Sequence, residues 1–401
     1  MSRMGFSSTR LIRSLNASIV LQTLYRHGRC SRSQLTRLTQ ISPATISRII
    51  AELLEQGIVY EGKQAKSTGG RKAVYLHLDY TKLYIVSVQL LRDRTAVAVH
   101  NLKGELLHKR PIAPAGFSPE ELLPEVYNQI ELILTHSGIN RDHILGVGVA
   151  ISGVVDSTNG VMVRSVNLDW EDIPVAQVLG EMLDLPIFVA NDANAAALAE
   201  LWFGQCQDCD SLLYLKTDTG AGVGLVVARN LVSGQHWLAG EVGHLPVIPG
   251  GRKCRCGRHG CLEAYVYLAD VLQHYEERTG RRITKEQFVE LAANQDPAAE
   301  QLVAETVQAI SQAVCSWAVL LDLDKIVVGG IWGQMKSEVL AHIQADYERV
   351  LASSGLKRQV TIVSSSLSDD NDLFGAAGIV IHSWLSPKLQ EHKGGEPWKY
   401  Q

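Results

Sequence analysis

The fold of the first 80 residues is decided by the stretch Ser42-Pro43-Ala44-Thr45-Ile46-Ser47-Arg48-Ile49-Ile50-Ala51-Glu52-Leu53-Leu54. A serine followed by proline is typical of a helix start, because the hydroxyl caps free amides and proline fits the first helical position. The apolar side chains at 46, 49, 50, 53 and 54 share one helical face. The opposite face carries small, polar or cationic side chains, so nothing bulky blocks its entry into a DNA major groove. The stretch predicts a recognition helix, which Gly57 ends.

The flanking sequence completes a winged helix-turn-helix. One helix is predicted over 16–25 and a second from a Ser31 cap to Leu38, while 58–61 and 74–78 alternate like two strands. The tip between these strands is rich in Gly, Lys and Arg, which suits a wing that lies along DNA phosphates. We predict that residues 1–80 bind double-stranded operator DNA through Ser42, Thr45, Ser47, Arg48, Arg71 and Lys72. Because such helices usually bind half-sites in pairs, a homodimer or a tetramer is expected.

Charge is distributed unevenly along the 401 residues, whose formal net charge is −4. Residues 1–80 carry 12 Lys and Arg against 4 Asp and Glu, so this segment has a charge of +8 and the remainder −12. A basic head on an acidic body indicates that the head binds a polyanion. On charge alone, a basic face that is merely solvated fits equally well.

Composition favours a cytoplasmic protein of two or three domains. No stretch approaches the roughly 20 apolar residues of a membrane span, and the basic N-terminus lacks the apolar segment of a signal peptide. The seven cysteines do not suggest a disulfide framework, because three of them are packed into positions 254–261. We therefore expect no membrane insertion.

The clustered cysteines are spaced like metal ligands. Cys254, Cys256 and Cys261 offer three thiolates, and His244 lies ten positions before the first of them. Four such ligands form a closed tetrahedral site with no free position for water, so we predict a structural Zn2+. Glycines at 250, 251, 257 and 260 let the loop fold tightly around an ion. Three thiols without a metal are the alternative.

Beyond Asp79 the pattern changes to repeated strand and helix signals. Apolar runs lie at 83–90, 144–151, 187–190, 211–215 and 325–328, with Gly and Asn at their ends, which is typical of an α/β protein with ligand loops. About 300 residues suit two lobes with a cleft between them. We predict a first lobe over 81–195, a second lobe with the zinc loop over 196–385, and a poorly ordered tail over 386–401.

Several motifs in this region resemble the ROK family, which groups repressors, open reading frames and sugar kinases within the actin-like ATPase and hexokinase fold. The matching segments are 146–156, 167–170, 190–197, 218–224, 239–244, the cysteine run and 328–330. They span nearly the whole body in the family's order. With the winged helix in front, the chain is similar to the family's transcriptional repressors, and the resemblance assigns the same four zinc ligands.

The resemblance also implies a sugar site. Its residues would be Asn167, Asn191, Asp192, Glu241, His244 and Glu263. Paired acceptors and amides suit vicinal hydroxyls, because an analogue that lacks one hydroxyl leaves buried polar groups unpaired. An ordinary helix cap before the alanine-rich run is the alternative role for Asp192.

In the kinases of this family, Asp192 would be the general base, but the nucleotide site is altered. Gln89 stands where the first phosphate loop has an Asp that organises Mg2+, and Leu91 and Arg92 fill space where backbone must approach phosphate. Asp218 replaces a glycine of the second loop and places a negative charge near the polyphosphate. Because phosphoryl transfer needs positioning and charge neutralisation, we expect a vestigial base and no kinase activity.

These features predict a sugar-responsive transcriptional regulator, namely a repressor that leaves its operator when a sugar or sugar phosphate binds in the cleft. Such a ligand acts through its differential affinity for two arrangements of the lobes. Two alternatives stay open. One is an ATP-dependent sugar kinase with a DNA-binding head, and the other is a repressor controlled by a protein of the sugar phosphotransferase system.

Overall fold

The N-terminal domain is a helix-turn-helix with a small sheet. The computed structural model describes residues 8–64, 74–92, 94–114, 116–217, 220–335, 337–354, 359–367 and 370–386. The domain consists of α1 (Ser8–His27), β1 (Cys30–Ser31), α2 (Arg32–Thr39), α3 (Pro43–Glu55), β2 (Val59–Gln64) and β3 (Val74–Leu78), with strand order β1-β3-β2. Ser31 caps α2 in a capping box with Gln34, and Ser42 caps α3. The apolar face of α3 is buried, as the pattern predicts.

The first lobe is built on a five-stranded sheet. Its strands are β4 (Tyr84–Leu90), β5 (Thr95–Asn101), β6 (Leu106–Ile112), β7 (Ile144–Ile151) and β11 (Ile187–Asn191), in the order β11-β7-β4-β5-β6. Strands β11, β7 and β4 run parallel, whereas β4, β5 and β6 form an antiparallel meander. A smaller sheet contains β8 (Val154–Asp156), β9 (Val161–Ser165) and β10 (Trp170–Ile173). Helices α4 (Pro119–Ser137) and α5 (Val175–Leu183) complete the core with the larger sheet.

The second lobe has its own five-stranded sheet, in the order β14-β13-β12-β15-β16. The strands are β12 (Leu212–Lys216), β13 (Gly222–Val227), β14 (Asn230–Leu231), β15 (Lys325–Val328) and β16 (Thr361–Ser364). The helices after the first lobe are α6 (Asp192–Trp202), α7 (Glu263–Val266), α8 (Leu268–Thr279), α9 (Lys285–Ala293), α10 (Pro297–Leu321), α11 (Gly330–Gln334), α12 (Ser337–Ser354) and α13 (Asn371–Leu385). The predicted α/β fold with a winged helix-turn-helix in front is therefore confirmed. No helix within the described ranges is long and apolar enough to span a membrane.

Two helices lie between the sheets. Helix α6 follows β11 of the first lobe and packs on β12 and β13 of the second. Helix α13 follows β16 of the second lobe and returns to pack on β4 and β7 of the first. The chain thus crosses between the lobes at both helices. The predicted boundary at residue 195 stays a prediction, and the predicted tail lies, apart from Ser386, outside the described residues.

The predicted DNA-binding head, described over residues 8–64 and 74–80, is packed directly on the body. The hydroxyl of Tyr25 donates to the carbonyl of Leu102 at 2.8 Å, and its ring meets Trp202 edge-on at 5.4 Å between centroids. Arg26 reaches the carboxylate of Asp210 at 3.1 Å. Buried apolar residues of the head and of the body form one continuous core. The head is therefore joined to the body by packing as well as by the chain.

Candidate functional site

The start of α6 carries two of the predicted sugar-site residues. Asn191 caps the helix, because its Oδ1 accepts from the amides of Ala193 at 2.9 Å and Asn194 at 3.2 Å. Its Nδ2 donates to the carbonyl of Gly153 at 2.9 Å. The Oδ1 of Asp192 also accepts from Ala193, at 3.0 Å. Asn191 is thus the main cap, and the other carboxylate oxygen of Asp192 turns towards β12.

A buried ion triad lies beside this helix start. The Nζ atom of Lys216, at the end of β12, is 2.9 Å from Oδ2 of Asp192 and 2.5 Å from Oδ1 of Asp372 on α13. All three side chains are less than 10% exposed. Burial lowers the pKa of Lys216, but the two carboxylates outweigh this effect and raise the pKa above its ordinary value. Sequence reasoning missed Lys216 and Asp372; the available signal was a lysine that ends an apolar strand.

The glycine-rich turn after β12 brings this triad close to Glu263. A Cβ atom placed on Gly222 would lie 3.1 Å from the Cβ of Ala193, next to Asp192. A Cβ atom placed on Gly220 would lie 3.2 Å from Oε1 of Glu263. The turn therefore has the start of α6 on one side and Glu263 on the other. Two of the predicted sugar-binding carboxylates, Asp192 and Glu263, thus adjoin the same turn.

Glu263 also contacts the metal-ligand region. Its Oε2 lies 3.5 Å from Nδ1 of His244, and its Oε1 accepts from Arg255 at 2.8 Å. Arg255 lies over the ring of Tyr267, 4.0 Å from the centroid. Glu263 is buried, whereas Glu241, which precedes the short 3-10 helix 242–244, is exposed. The salt bridge of Arg255 is a feature that sequence reasoning did not find.

Asn167 lies on the first-lobe side of the cleft. It is exposed, and its Nδ2 donates to Oγ of Ser152 at 3.0 Å. Its carbonyl accepts from Arg92 at 3.0 Å. Within the described part of the chain, Asn167 forms no direct hydrogen bond with the other predicted sugar-site residues.

Two polar side chains of the predicted first phosphate loop, Gln89 and Arg92, already form hydrogen bonds within the protein. Nε2 of Gln89 donates to the carbonyl of Arg94 at 3.2 Å, while its Oε1 is buried without a hydrogen-bond partner among the described residues. Leu91 is buried and Arg92 is directed to Asn167. Asp218 lies outside the described residues.

Three of the four predicted metal ligands form a cluster in the segment 244–261, here called the zinc loop, and the fourth, Cys261, lies beside Cys256. The ligand atoms of His244, Cys254 and Cys256 lie within 4.8 Å of one another. The sulfur of Cys261 is 3.7 Å from that of Cys256. The amide of Leu262 donates to the carbonyl of Leu245 at 3.1 Å, so the segments that follow Cys261 and His244 are held side by side.

The donor set has the chemistry of a zinc site. Three thiols and one imidazole are the ligands of closed structural Zn2+ centres. The backbone amide of Arg258 lowers the pKa of Cys256 to about 6, whereas burial raises the pKa of Cys254 to about 12. The ligand atoms of His244, Cys254 and Cys256 could hold a metal ion, with the thiol of Cys261 beside them.

The candidate DNA surface lies at the start of α3. Ser42, Ser47 and Arg48 are exposed and Thr45 is half-buried. Oγ of Ser42 lies 2.9 Å from Oγ1 of Thr45, so these two hydroxyls already form a hydrogen bond. Arg48 forms no salt bridge with a described residue. Arg71 and Lys72 lie outside the described residues.

Two family models match the chain. The model described as ROK family matches residues 85–383, which is most of the chain. The chain belongs to the ROK family. The model described as MarR family matches residues 13–68, a range that contains α2, α3 and β2.

Several full-length relatives share this arrangement. The xylose repressor of Caldicellulosiruptor bescii is 26% identical over 94% of this chain and 98% of its own length. The DNA-binding transcriptional dual regulator NagC of Escherichia coli is 25% identical over 95% of this chain and 96% of its own. A solved ROK family transcriptional regulator, a homologue of the Escherichia coli MLC protein, superposes with a TM-score of 0.81 at 25% identity, covering 93% and 96% of the two chains.

A kinase of the family matches a smaller share of the chain. The ROK hexokinase of Thermus thermophilus is 27% identical with a TM-score of 0.65, and covers 74% of this chain and 97% of its own. The ROK family model begins at residue 85, so the head lies outside the range that it matches.

Proposed function

We propose that this ROK-family protein is a sugar-responsive transcriptional repressor that binds operator DNA as a homodimer or tetramer. The proposal rests mainly on one observation: the helix-turn-helix and the ROK body share a single hydrophobic core. The helix-turn-helix keeps its recognition face exposed, and the body carries the polar candidate sugar site. Relatives named xylose repressor and N-acetylglucosamine repressor match over 94% and 95% of this chain, which includes both parts. A sugar or sugar phosphate bound in the cleft releases the operator by favouring a second arrangement of the lobes.

The proposed sugar site contains Asn191, Asp192, His244 and Glu263, with Asn167 and Glu241 at its edges. Burial of Asp192 and Glu263 supports this assignment, because buried carboxylates discriminate strongly between ligands that do and do not supply a hydroxyl. In the proposed resting state Asn191 keeps its role as helix cap and Glu263 its salt bridge with Arg255.

We further propose that the body is not an enzyme. Gln89 offers no carboxylate for a magnesium ion, and its amide is already bonded to Arg94. Both oxygens of Asp192 already accept hydrogen bonds, one from Ala193 and one from Lys216. The position of the kinase base is therefore occupied by structural contacts, and the site that would hold ATP lacks a metal-binding side chain at Gln89.

A structural zinc ion is part of the proposal. His244, Cys254, Cys256 and Cys261 would hold it, and the ion would fix the loop that presents His244 and Glu263 to the cleft. The ion supplies rigidity and no chemical step.

The test uses the purified full chain and DNA selected by the protein from a random-sequence pool. Fluorescence anisotropy measures the affinity for this DNA with D-xylose, N-acetylglucosamine and their phosphates added one at a time, each with and without Mg-ATP. We expect one compound to weaken DNA binding and ATP to have no effect. ATP consumption that Asp192→Asn abolishes would instead establish a kinase.

A second outcome addresses control by a partner. If none of the sugars changes the DNA affinity but a phosphotransferase-system protein does, the effector is a protein and the proposed sugar response is wrong. Failure to enrich any DNA sequence would contradict the repressor itself.

A further inference from the structure

Helices α6 and α13 form a parallel pair with a constant register. Ala195 faces Gly375, and Leu198 faces Gly378. A Cβ atom placed on Gly375 would lie 2.7 Å from the carbonyl carbon of Ala195, and one on Gly378 would lie 3.1 Å from that of Leu198. The two backbones are therefore in direct contact, with no side chain between them that could absorb a movement.

Lys216 joins the first residues of this pair. Asp192 opens α6 and Asp372 lies in the first turn of α13, and the same ammonium group contacts both carboxylates. Without that cation, two buried carboxylates would face each other, which is costly at short range. Lys216 belongs to β12 of the second lobe, so a shift of that strand moves both helix starts together.

The last residues of the pair contact the DNA-binding head. The ring of Trp202, at the end of α6, packs edge-on against Tyr25 of α1. The carbonyl of Leu385, at the end of α13, accepts a hydrogen bond from Ser18 and one from Gln22 at 3.0 Å. The eleven residues of α6 span about 16 Å at 1.5 Å per residue, so the pair links two regions that do not touch.

We propose that α6 and α13 act as one rigid connector between the cleft and the head, and that Lys216 is the positioning residue that fixes its cleft end. The inference rests on the proposed function for the cleft ligand and for the paired heads of the oligomer. A ligand that approaches Asp192 competes with Lys216 for its carboxylate and loosens the shared start of both helices. The ends at Trp202 and Leu385 then shift against α1, and the paired heads of the oligomer lose their spacing.

The test measures amide hydrogen exchange of the full chain by mass spectrometry, with neither sugar nor DNA present. Lys216→Met removes the shared cation, and Gly375→Ala forces the two helix backbones apart one turn beyond the triad while leaving the three charged side chains in place. The matched controls are Gly180→Ala, whose new Cβ would have its nearest neighbour at 3.7 Å, and Lys103→Met, which removes an exposed lysine. Residues 18–25 of α1 are the reporter.

We expect the amides of α1 to exchange about tenfold faster or more in both test variants, and within about twofold of the parent in both controls. A purely local role for Lys216 would speed exchange only at 193–196 and 373–376 and leave α1 unchanged, which would overturn the proposal. An equal increase in α1 and in α4, on the far side of the first lobe, would report global unfolding and would contradict it as well.

The reverse perturbation keeps the proposal testable if Lys216→Met does not fold. Ser18→Ala removes a hydrogen bond to the carbonyl of Leu385 at the head end of α13. Because coupling is reciprocal, the amides at 193–196 should exchange faster in this variant. Unchanged exchange there would refute the connector. Since no sugar or DNA enters the experiment, its failure is distinct from a failure of the proposed repressor function.

Discussion

Replacement of Arg48 by alanine should separate specific from nonspecific DNA binding. Arg48 is exposed on the second turn of α3, on the side opposite the buried Ile46 and Ile49. It forms no salt bridge with a described residue, so its removal should change the free energy of unfolding by no more than about 0.5 kcal/mol. Any larger loss in DNA binding therefore reports a contact with DNA.

The size of that loss follows from the kind of contact. An arginine that binds a guanine edge through two hydrogen bonds contributes about 1–3 kcal/mol of discrimination, which corresponds to about 5- to 150-fold in Kd. Loss of an arginine that binds only phosphate weakens binding to all sequences alike. It also lowers the slope of log Kd against log salt concentration by about one. Arg48→Ala is expected to show the first behaviour.

The assay is fluorescence anisotropy with the selected operator and with a scrambled duplex, each over a range of salt concentrations. Arg37→Ala is the matched control, because Arg37 is exposed in the last turn of α2, outside the recognition helix. We expect Arg37→Ala to affect both duplexes to the same extent. An equal loss on both duplexes for Arg48→Ala would refute its base-contacting role, and with it the proposed orientation of α3.

Three further predictions follow from the body. Cys256→Ser should release zinc, measured by elemental analysis, and lower the melting temperature, whereas Cys315→Ser should not; full zinc retention in Cys256→Ser would contradict the proposed ligand set. Asp192→Asn should weaken binding of the effector sugar at least about tenfold, as a lost charge-assisted hydrogen bond does, and calorimetry showing unchanged affinity would remove Asp192 from the site. Burial lowers the pKa of His100 to about 4. In the unfolded chain His100 has its ordinary pKa of about 6.5, so the unfolded chain takes up the proton at a higher pH than the folded chain. The free energy of unfolding should therefore fall as pH decreases from about 6.5 to about 4, by about 3 kcal/mol at about 1.4 kcal/mol per pH unit. Urea unfolding of His100→Gln should show a smaller pH dependence over this range, and an identical dependence would show that His100 is not its source.

The local features of the head could be predicted from the sequence because their signals are local. Serine caps at 31 and 42, the proline after the second cap and the period of the apolar residues each act within one or two turns. The two strands of the wing could be predicted because apolar and polar residues alternate over a few positions. The metal-ligand cluster could also be predicted from local sequence, because Cys254, Cys256 and Cys261 lie within eight positions. Only His244 comes from an earlier segment of the chain.

The charged contacts of the cleft could not be predicted in this way. Lys216 meets Asp372 across 156 positions, and the pairing depends on α13 returning to the first lobe. No periodicity links a strand end to a helix that begins so far downstream. The salt bridge between Arg255 and Glu263 is closer in sequence but depends on the fold of the zinc loop. Such partners are set by topology, and the sequence offers only the weak signal of a lysine in an apolar strand.

The packing of the head on the body changes how a regulatory signal can reach the DNA. A head held only by a flexible linker would keep its own orientation whatever happened in the cleft, so a ligand could act on it only by direct contact. Here Tyr25 packs on Trp202, and Leu385 accepts hydrogen bonds from α1. Because the interface is a close-packed core, it transmits displacement and does not absorb it. Under the proposed mechanism, a small movement of α6 and α13 would either rotate the head or break its contacts, and either result would alter the spacing that a two-fold operator requires.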